Sequence, residues 1–185
     1  MWNSQVIVML LEGIRDTLYM TLASTLFGYI IGLPMGIVLT VTDKDGIRPN
    51  AAVYKVLDVI SNLLRSIPFI ILLIVLIPFT RFVVGRSYGS TATIVPLTIA
   101  AAPYIARMVE SSLKEVDAGV IEAARSMGAS DFQIVTKVML VEARTSLIVG
   151  ATISLGTILG YSAMAGTVGG GGLGDIAIRY GYTRW

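Results

Sequence analysis

Four runs of this chain are almost free of ionisable side chains, and each is long enough to cross a bilayer. In hydrocarbon a backbone satisfies its hydrogen bonds only as helices or as a closed barrel, and a helical crossing needs about 20 apolar residues. The first run, 17–42, lies between Asp16 and Asp43 and contains Pro34. The second, 59–80, is interrupted only by Arg65 and includes "IPFIILLIVLIPF". The third, 87–106, lies between Arg86 and Arg107 and holds Pro96 and Pro103; the last, 145–174, is long enough to span and leave a glycine-rich tail. The expected fold is an all-α integral membrane protein with about four spanning helices. Composition agrees: 55% of residues are hydrophobic and 14% charged, the latter against about 25% in soluble domains.

Other residue types narrow the chemistry. The absence of cysteine and histidine removes thiol and imidazole nucleophiles, disulfides and the usual zinc ligands. The net charge of +2 is spread along the chain, so a nucleic-acid partner is not expected. The opening "MWNSQVIVML" lacks the basic start and small-residue cleavage site of a signal peptide. It is expected to form an interfacial helix leading into the first span, with Glu12, Arg15 and Asp16 at headgroup level and Trp2 and Tyr19 as aromatic anchors. Basic residues favour the connections 43–58 and 107–144, which carry Lys44, Arg48, Lys55, Arg107, Lys114, Arg125, Lys137 and Arg144. Arg15, Arg81, Arg86, Arg179 and Arg184 lie on the other face. The bias puts those two connections in the cytoplasm and the N-terminus outside.

Within the second connection, 117–127 reads as a short helix ended by Gly128. A new helix then starts at Ser130, where Gln133 completes a capping box worth about 1 kcal/mol. Two helices should meet there at a sharp corner, one lying across the membrane surface and one rising through "DFQIVTKVML" toward the last span. Ala123, Ala124 and Gly128 are nearly bare of side chain and are flanked by Glu122 and Arg125, which suits a helix laid in a groove of another protein.

"EAARSMG" followed by "KVML" is similar to the EAA signature of importer-type ABC-transporter permeases, in which Glu-Ala-Ala, a glycine and an apolar-x-Leu-Pro run mark the coupling helix. The match holds at Glu122, Ala123, Ala124, Gly128 and Leu140, with Val141 at the usual proline. The resemblance implies that this helix, between spans three and four, docks on an ATP-hydrolysing subunit, and that Glu122, Ala123, Ala124, Arg125 and Gly128 are its coupling residues. "RSIPFIILL", "PYIARMVESSL" and "GYSAMAGTVGGGGLGDIAIRYGY" resemble the methionine-importer subgroup, and the likeness covers about residues 13–182. It implies a homodimer of bacterial inner-membrane permeases, two ATP-binding subunits carrying ATP and Mg, and an extracytoplasmic methionine-binding lipoprotein. It further implies one permease domain over 1–185, with a coupling segment at 114–137 and an extracytoplasmic glycine-rich segment at 166–182. The subgroup usually adds a fifth span where this chain stops at "YGYTRW", so either a fragment or a short variant is expected, with both ends outside.

No Gly-x-x-x-x-Gly-Lys-Ser/Thr loop occurs, so the chain is expected to be no enzyme and to hold no cofactor. Gly169, Gly171 and Gly174 fit Gly-x-Gly-x-x-Gly, but a span precedes them instead of a strand; the run is either part of a gate or a flexible loop. Arg65 is read as an interfacial anchor or a contact of the coupling region, with a substrate ligand as the alternative. Prolines at 34, 68, 78, 96 and 103 are expected to bend their helices. Candidate pathway residues are Tyr161, Ser162 and Met164, with Ser66, Pro68, Phe69 and Met108 opposite, a soft lining suited to a thioether. No metal site is expected. The rival functions are the same machine for another small amino acid or analogue, and an ATP-independent transporter. The latter calls for intramembrane carboxylates, whereas every Asp and Glu is expected near a span end.

Overall fold

The computed structural model describes residues 4–182, and among them every regular element is helical. The long elements are α1 (Ser4–Thr42), α2 (Ala51–Ser66), α3 (Phe69–Val75), α4 (Ile77–Val84), α5 (Ser90–Lys114), α6 (Ala118–Ser126) and α9 (Arg144–Ala165). Between α6 and α9 come α7 (Asp131–Gln133), a π-helical turn (Ile134–Met139) and α8 (Leu140–Glu142). After α9 a 3-10 turn (Gly166–Val168), α10 (Gly172–Ile176) and a second π turn (Ala177–Tyr182) complete the described chain. Among the described residues three helices are long and apolar enough to cross a membrane, Ser4–Thr42, Ser90–Lys114 and Arg144–Val168, and α2 with α3, bent by 102° at their break, passes the same test as a pair, either as a broken span or as a re-entrant loop. The described residues thus hold three candidate spans, or four with the bent pair counted, against the four expected, and the boundaries differ.

Three boundaries need correction. The start is not a separate interfacial helix, because α1 is continuous over 39 residues. No proline lies between Ser4 and Thr17, and Arg15 meets the charge of Asp16 at 3.1 Å on the helix surface. Trp2 and Arg184 lie outside the described residues. The second run is not one helix: it breaks at Ile67 and Pro68, where Pro68 is extended (φ −53°, ψ 133°). A proline pushes the residue before it out of helical geometry and offers no amide donor. Pro34, Pro96 and Pro103 nevertheless lie inside unbroken helices, and Pro78 sits in the first turn of α4, where the missing donor costs nothing. Finally, α5 does not stop at Arg107 but runs on to Lys114. The charges that marked a span end in the sequence are paired inside the helix: Arg107 with Glu110 at 2.6 Å and Lys114 with Glu110 at 2.8 Å.

The described chain divides into two compact units, to each of which α1, α5 and α9 contribute. The first comprises 4–28, 67–101 and 155–182. Met20, Leu72, Leu73, Leu97 and Ile158 form its buried core, and Phe69 stacks on Tyr161 with ring centroids 4.7 Å apart. The second comprises Tyr29–Ser66 and Ala102–Ser154, with a core of Leu39, Ile105, Val109, Leu113, Ile134 and Met139. Here Gly32 and Gly36, one turn apart on α1, meet α5 backbone to backbone. A Cβ at Gly36 would stand 2.5 Å from the Ala106 carbonyl oxygen, and one at Gly32 would stand 2.6 Å from that of Ala102. Lipid is as apolar as leucine, so such close approach through small residues, rather than water exclusion, is what draws membrane helices together. The outward face of α1 shows the complement: Leu18, Leu22, Leu26 and Ile30 recur every fourth residue and are all exposed, as a lipid-facing stripe is.

Candidate coupling site

The corner predicted in the sequence is held by side-chain caps and by backbone hydrogen bonds across the turn. Asp117 caps α6 by accepting a hydrogen bond from the Gly119 amide at 2.7 Å. At the other end Gly128 adopts φ +82°, a left-handed geometry that other residues take up only at a cost. The turn there is a Schellman closure: the Gly128 amide donates to the Arg125 carbonyl at 3.0 Å and the Ala129 amide to that of Ala124 at 3.1 Å. One residue on, the capping box is present in both directions, with Gln133 N–H to Ser130 Oγ at 3.3 Å and Ser130 N–H to Gln133 Oε1 at 2.9 Å. One helix is thus stopped and the next started within four residues, Met127 to Ser130.

α6 buries one stripe and presents another. Ala124 is buried, whereas Glu122, Ala123, Arg125 and Gly128 are exposed. The bare side chains at Ala123 and Gly128 leave backbone accessible on the outward side. Two large apolar side chains flank the corner unprotected: Met127 is 82% and Phe132 77% exposed. Sequence reasoning missed both. The available signal was an apolar residue on each side of a Gly-to-Ser corner, where neither helix can turn it inward.

Arg125 also reaches inward within the second unit, where its guanidinium donates to the Ile47 carbonyl at 2.9 Å and stands 3.9 Å from Asp131. Ile47 belongs to the connection between α1 and α2, whose Asp43 pairs with Lys114 at 2.6 Å. That hydrogen bond from the Lys114 ammonium holds the Asp43 carboxyl below its ordinary range. Beyond Lys114 the pairing continues to Glu110, then to Arg107, and from Arg107 to Asp58 and Asn62 of α2. The Tyr54 hydroxyl donates to Glu110 at 3.2 Å. A cavity of about 430 Å³ opens between α6 and the α1–α2 connection, lined among others by Asp43, Asp45, Lys114, Glu122 and Arg125.

The candidate pathway residues fall into two groups. In the first unit Phe69 and Tyr161 are brought together by stacking. Ser162 is 1% exposed and donates its hydroxyl to the Leu159 carbonyl of its own helix at 2.7 Å, while Met164 is half-exposed and Pro68 exposed. In the second unit Ser66 donates to the Asn62 carbonyl at 2.7 Å, and Met108 lies against Gly150. Arg65 stands exposed in the last turn of α2, where a cation complements the helix dipole.

The glycine-rich run follows a helix and is tied to the rest of the first unit. The Gly89 amide donates to the Gly169 carbonyl at 2.9 Å, the Thr93 hydroxyl to that of Gly170 at 3.3 Å, and the Leu173 amide to the Thr17 hydroxyl at 2.9 Å. A neighbouring bond, Ser90 to Asp16 at 2.8 Å, joins the start of α5 to α1.

The chain is 48% identical over 177 residues to the "Probable D-methionine transport system permease protein MetI" of Vibrio cholerae, covering 96% of this chain and 79% of the relative. It is 55% identical over 158 residues to the "D-methionine transport system permease protein MetI" of Escherichia coli K12, covering 85% and 73%. Among solved structures, one described as an inward-facing conformation of the MetNI methionine ABC transporter superposes with a TM-score of 0.96 at 53% identity, covering 98% of this chain and 84% of that one. An amino acid ABC transporter crystallised with histidines shares the fold alone, with a TM-score of 0.74 at 21% identity. Residues 17–183 match the family model described as the binding-protein-dependent transport system inner membrane component, and the chain belongs to that family of ABC-importer permeases.

Proposed function

We propose that this chain is the multi-pass permease subunit of an ATP-driven methionine importer in the bacterial inner membrane. The observation that carries the reading is the corner at Gly128: a short, capped helix with bare backbone and two unprotected apolar side chains, on a chain about half identical to methionine permeases over most of its length. ATP is hydrolysed on a separate subunit. Glu122, Ala123, Ala124, Arg125 and Gly128 form the surface on which that subunit docks, joined by Met127 and Phe132. In the working machine two copies of this permease face two ATPases, which carry ATP and Mg, while an extracytoplasmic methionine-binding lipoprotein delivers substrate. The N-terminus lies outside and the coupling segment, about 114–137, in the cytoplasm, within one permease domain over 1–185. The glycine-rich segment, 166–182, lies at the outer face. The candidate path residues are Pro68, Phe69, Tyr161, Ser162 and Met164 in the first unit, where the Phe69–Tyr161 stack is the strongest support, and Ser66 and Met108 in the second.

The test is uptake of labelled methionine into vesicles holding the complex, with and without ATP. Uptake that needs ATP and is competed by methionine supports the reading. Accumulation without ATP overturns the energy source, and ATP-driven uptake of a different amino acid overturns the substrate.

A further inference from the structure

We infer that a continuous polar chain through the second unit carries displacement of the coupling helix to α2, so that Asp43, Lys114, Glu110, Arg107 and Asp58 are positioning residues for transport. The inference rests on the proposed function, because it takes α6 as the element that the ATPase moves. Its side-chain links are all short, and the backbone of the α1–α2 connection, where the Gly46 amide donates to the Asp43 carbonyl at 3.0 Å, joins the first link to the rest. Arg125 of α6 holds the Ile47 carbonyl, and Asp43 of the same connection holds Lys114. Lys114 and Arg107 share Glu110, one on each carboxylate oxygen, and Arg107 ends the chain on Asp58 and Asn62.

Burial makes this more than a row of surface pairs. The centre of the chain is buried, with the side chain of Glu110 6% exposed, that of Arg107 17% and that of Asp43 17%, while Asp58 at 32%, Lys114 at 42% and Arg125 at 54% lie nearer the surface. Exposed ion pairs are screened and hold nothing rigidly, whereas buried ones resist separation because each partner left alone is an uncompensated charge. α5 supplies the middle three members at positions i, i+3 and i+7, on one helical face. A push on α6 therefore reaches α5 and α2 without passing through apolar contacts, which slide more readily than paired charges part. Spatial continuity alone does not establish coupling, so the test must measure coupling itself.

The experiment uses the full complex with Asp43→Asn, Asp58→Asn and the double substitution, each checked for retained partner subunits, and reads methionine uptake per ATP hydrolysed. Each single substitution should lower that ratio by about three- to tenfold. Because the links act in series, the double should fall no lower than the worse single. Losses that multiply would overturn the chain, as would an unchanged ratio in either single.

A second measurement needs no substrate. The chain has no cysteine, so in a complex that pairs one doubly substituted permease copy with one unsubstituted copy, and whose partner subunits have had their cysteines replaced, spin labels at Ser126→Cys on α6 and Lys55→Cys on α2 report one distance. That distance should stay the same between nucleotide-free and ATP-bound complex in the otherwise unsubstituted chain, and change with ATP in Asp43→Asn. A change already present without Asp43→Asn, or none with it, refutes the chain. If the unsubstituted complex takes up no methionine, the functional reading fails while the distances still decide this one.

Discussion

Replacing Gly128 separates what the corner needs for its own fold from what it offers a partner. The residue has φ +82°, and a Cβ built there has no atom within 4 Å. Within the chain, alanine therefore meets no steric clash and only the left-handed backbone penalty, about 1–2 kcal/mol, which corresponds to about 2–4 °C of melting temperature per kcal/mol for a chain of this size. Asparagine tolerates the same geometry and should cost less than alanine, below about 1 kcal/mol. On the outward face the order reverses, since the larger asparagine intrudes further than a methyl group between α6 and whatever covers it. The expected result is an inversion: Gly128→Asn melts at or above Gly128→Ala yet retains less of the ATPase subunit on copurification and less ATP-dependent uptake. Thermal unfolding of the purified permease and quantified capture of the ATPase measure both. If capture follows the stability order instead, the corner matters only for folding and nothing packs on it.

Other outcomes follow from named contacts. Phe132→Ala and Met127→Ala should shift permease stability by less than about 0.5 kcal/mol, as exposed sites do, while weakening ATPase binding by about 1–2 kcal/mol each, measured by titration in detergent. Gly36→Ala should destabilise by about 1–3 kcal/mol through overpacking against α5, whereas Gly156→Ala, with open space around it, should be neutral or stabilising in a membrane-insertion and melting assay. The Asp43 carboxyl is depressed by Lys114, so the pair's contribution is complete above the ordinary carboxylate value of about 4 and is lost only as pH falls through the lower folded value. The melting gap between the unsubstituted chain and Asp43→Asn should thus stay constant from about pH 7 to 5 and narrow only below about pH 4; a gap that closes near neutrality would contradict the pairing.

What the sequence revealed depended on how local each determinant was. Asp117, Gly128, Ser130 and Gln133 act on amides a few residues away, so the corner was legible down to its capping box. The spans were legible as apolar runs, but their ends were not, because an ionisable residue ends a helix only if it has no partner. Arg107 has a local partner in Glu110, three residues on, but its other partner, Asp58, lies 49 residues earlier, and no local pattern announces that one. Pro68 stands at a helix break while Pro34, Pro96 and Pro103 lie inside continuous helices, so a proline in the sequence does not by itself say where a helix breaks. Met127 and Phe132 looked like ordinary apolar residues, since their exposure follows from the tightness of the turn between them.

The unequal burial of the long helices bears on how this chain can drift over generations. α5 has 72% of its apolar window enclosed, against 28% for α1 and 22% for α9. Where the open faces of α1 and α9 meet lipid, and not the second permease copy or the proposed path, the neighbour is a fluid that refills around any apolar side chain, so leucine, isoleucine, valine and phenylalanine should interchange there with little selection. α5 has fixed neighbours and no such freedom. Its substitutions should be rare, near in volume, and accompanied by compensating changes at the glycines and small residues that face it.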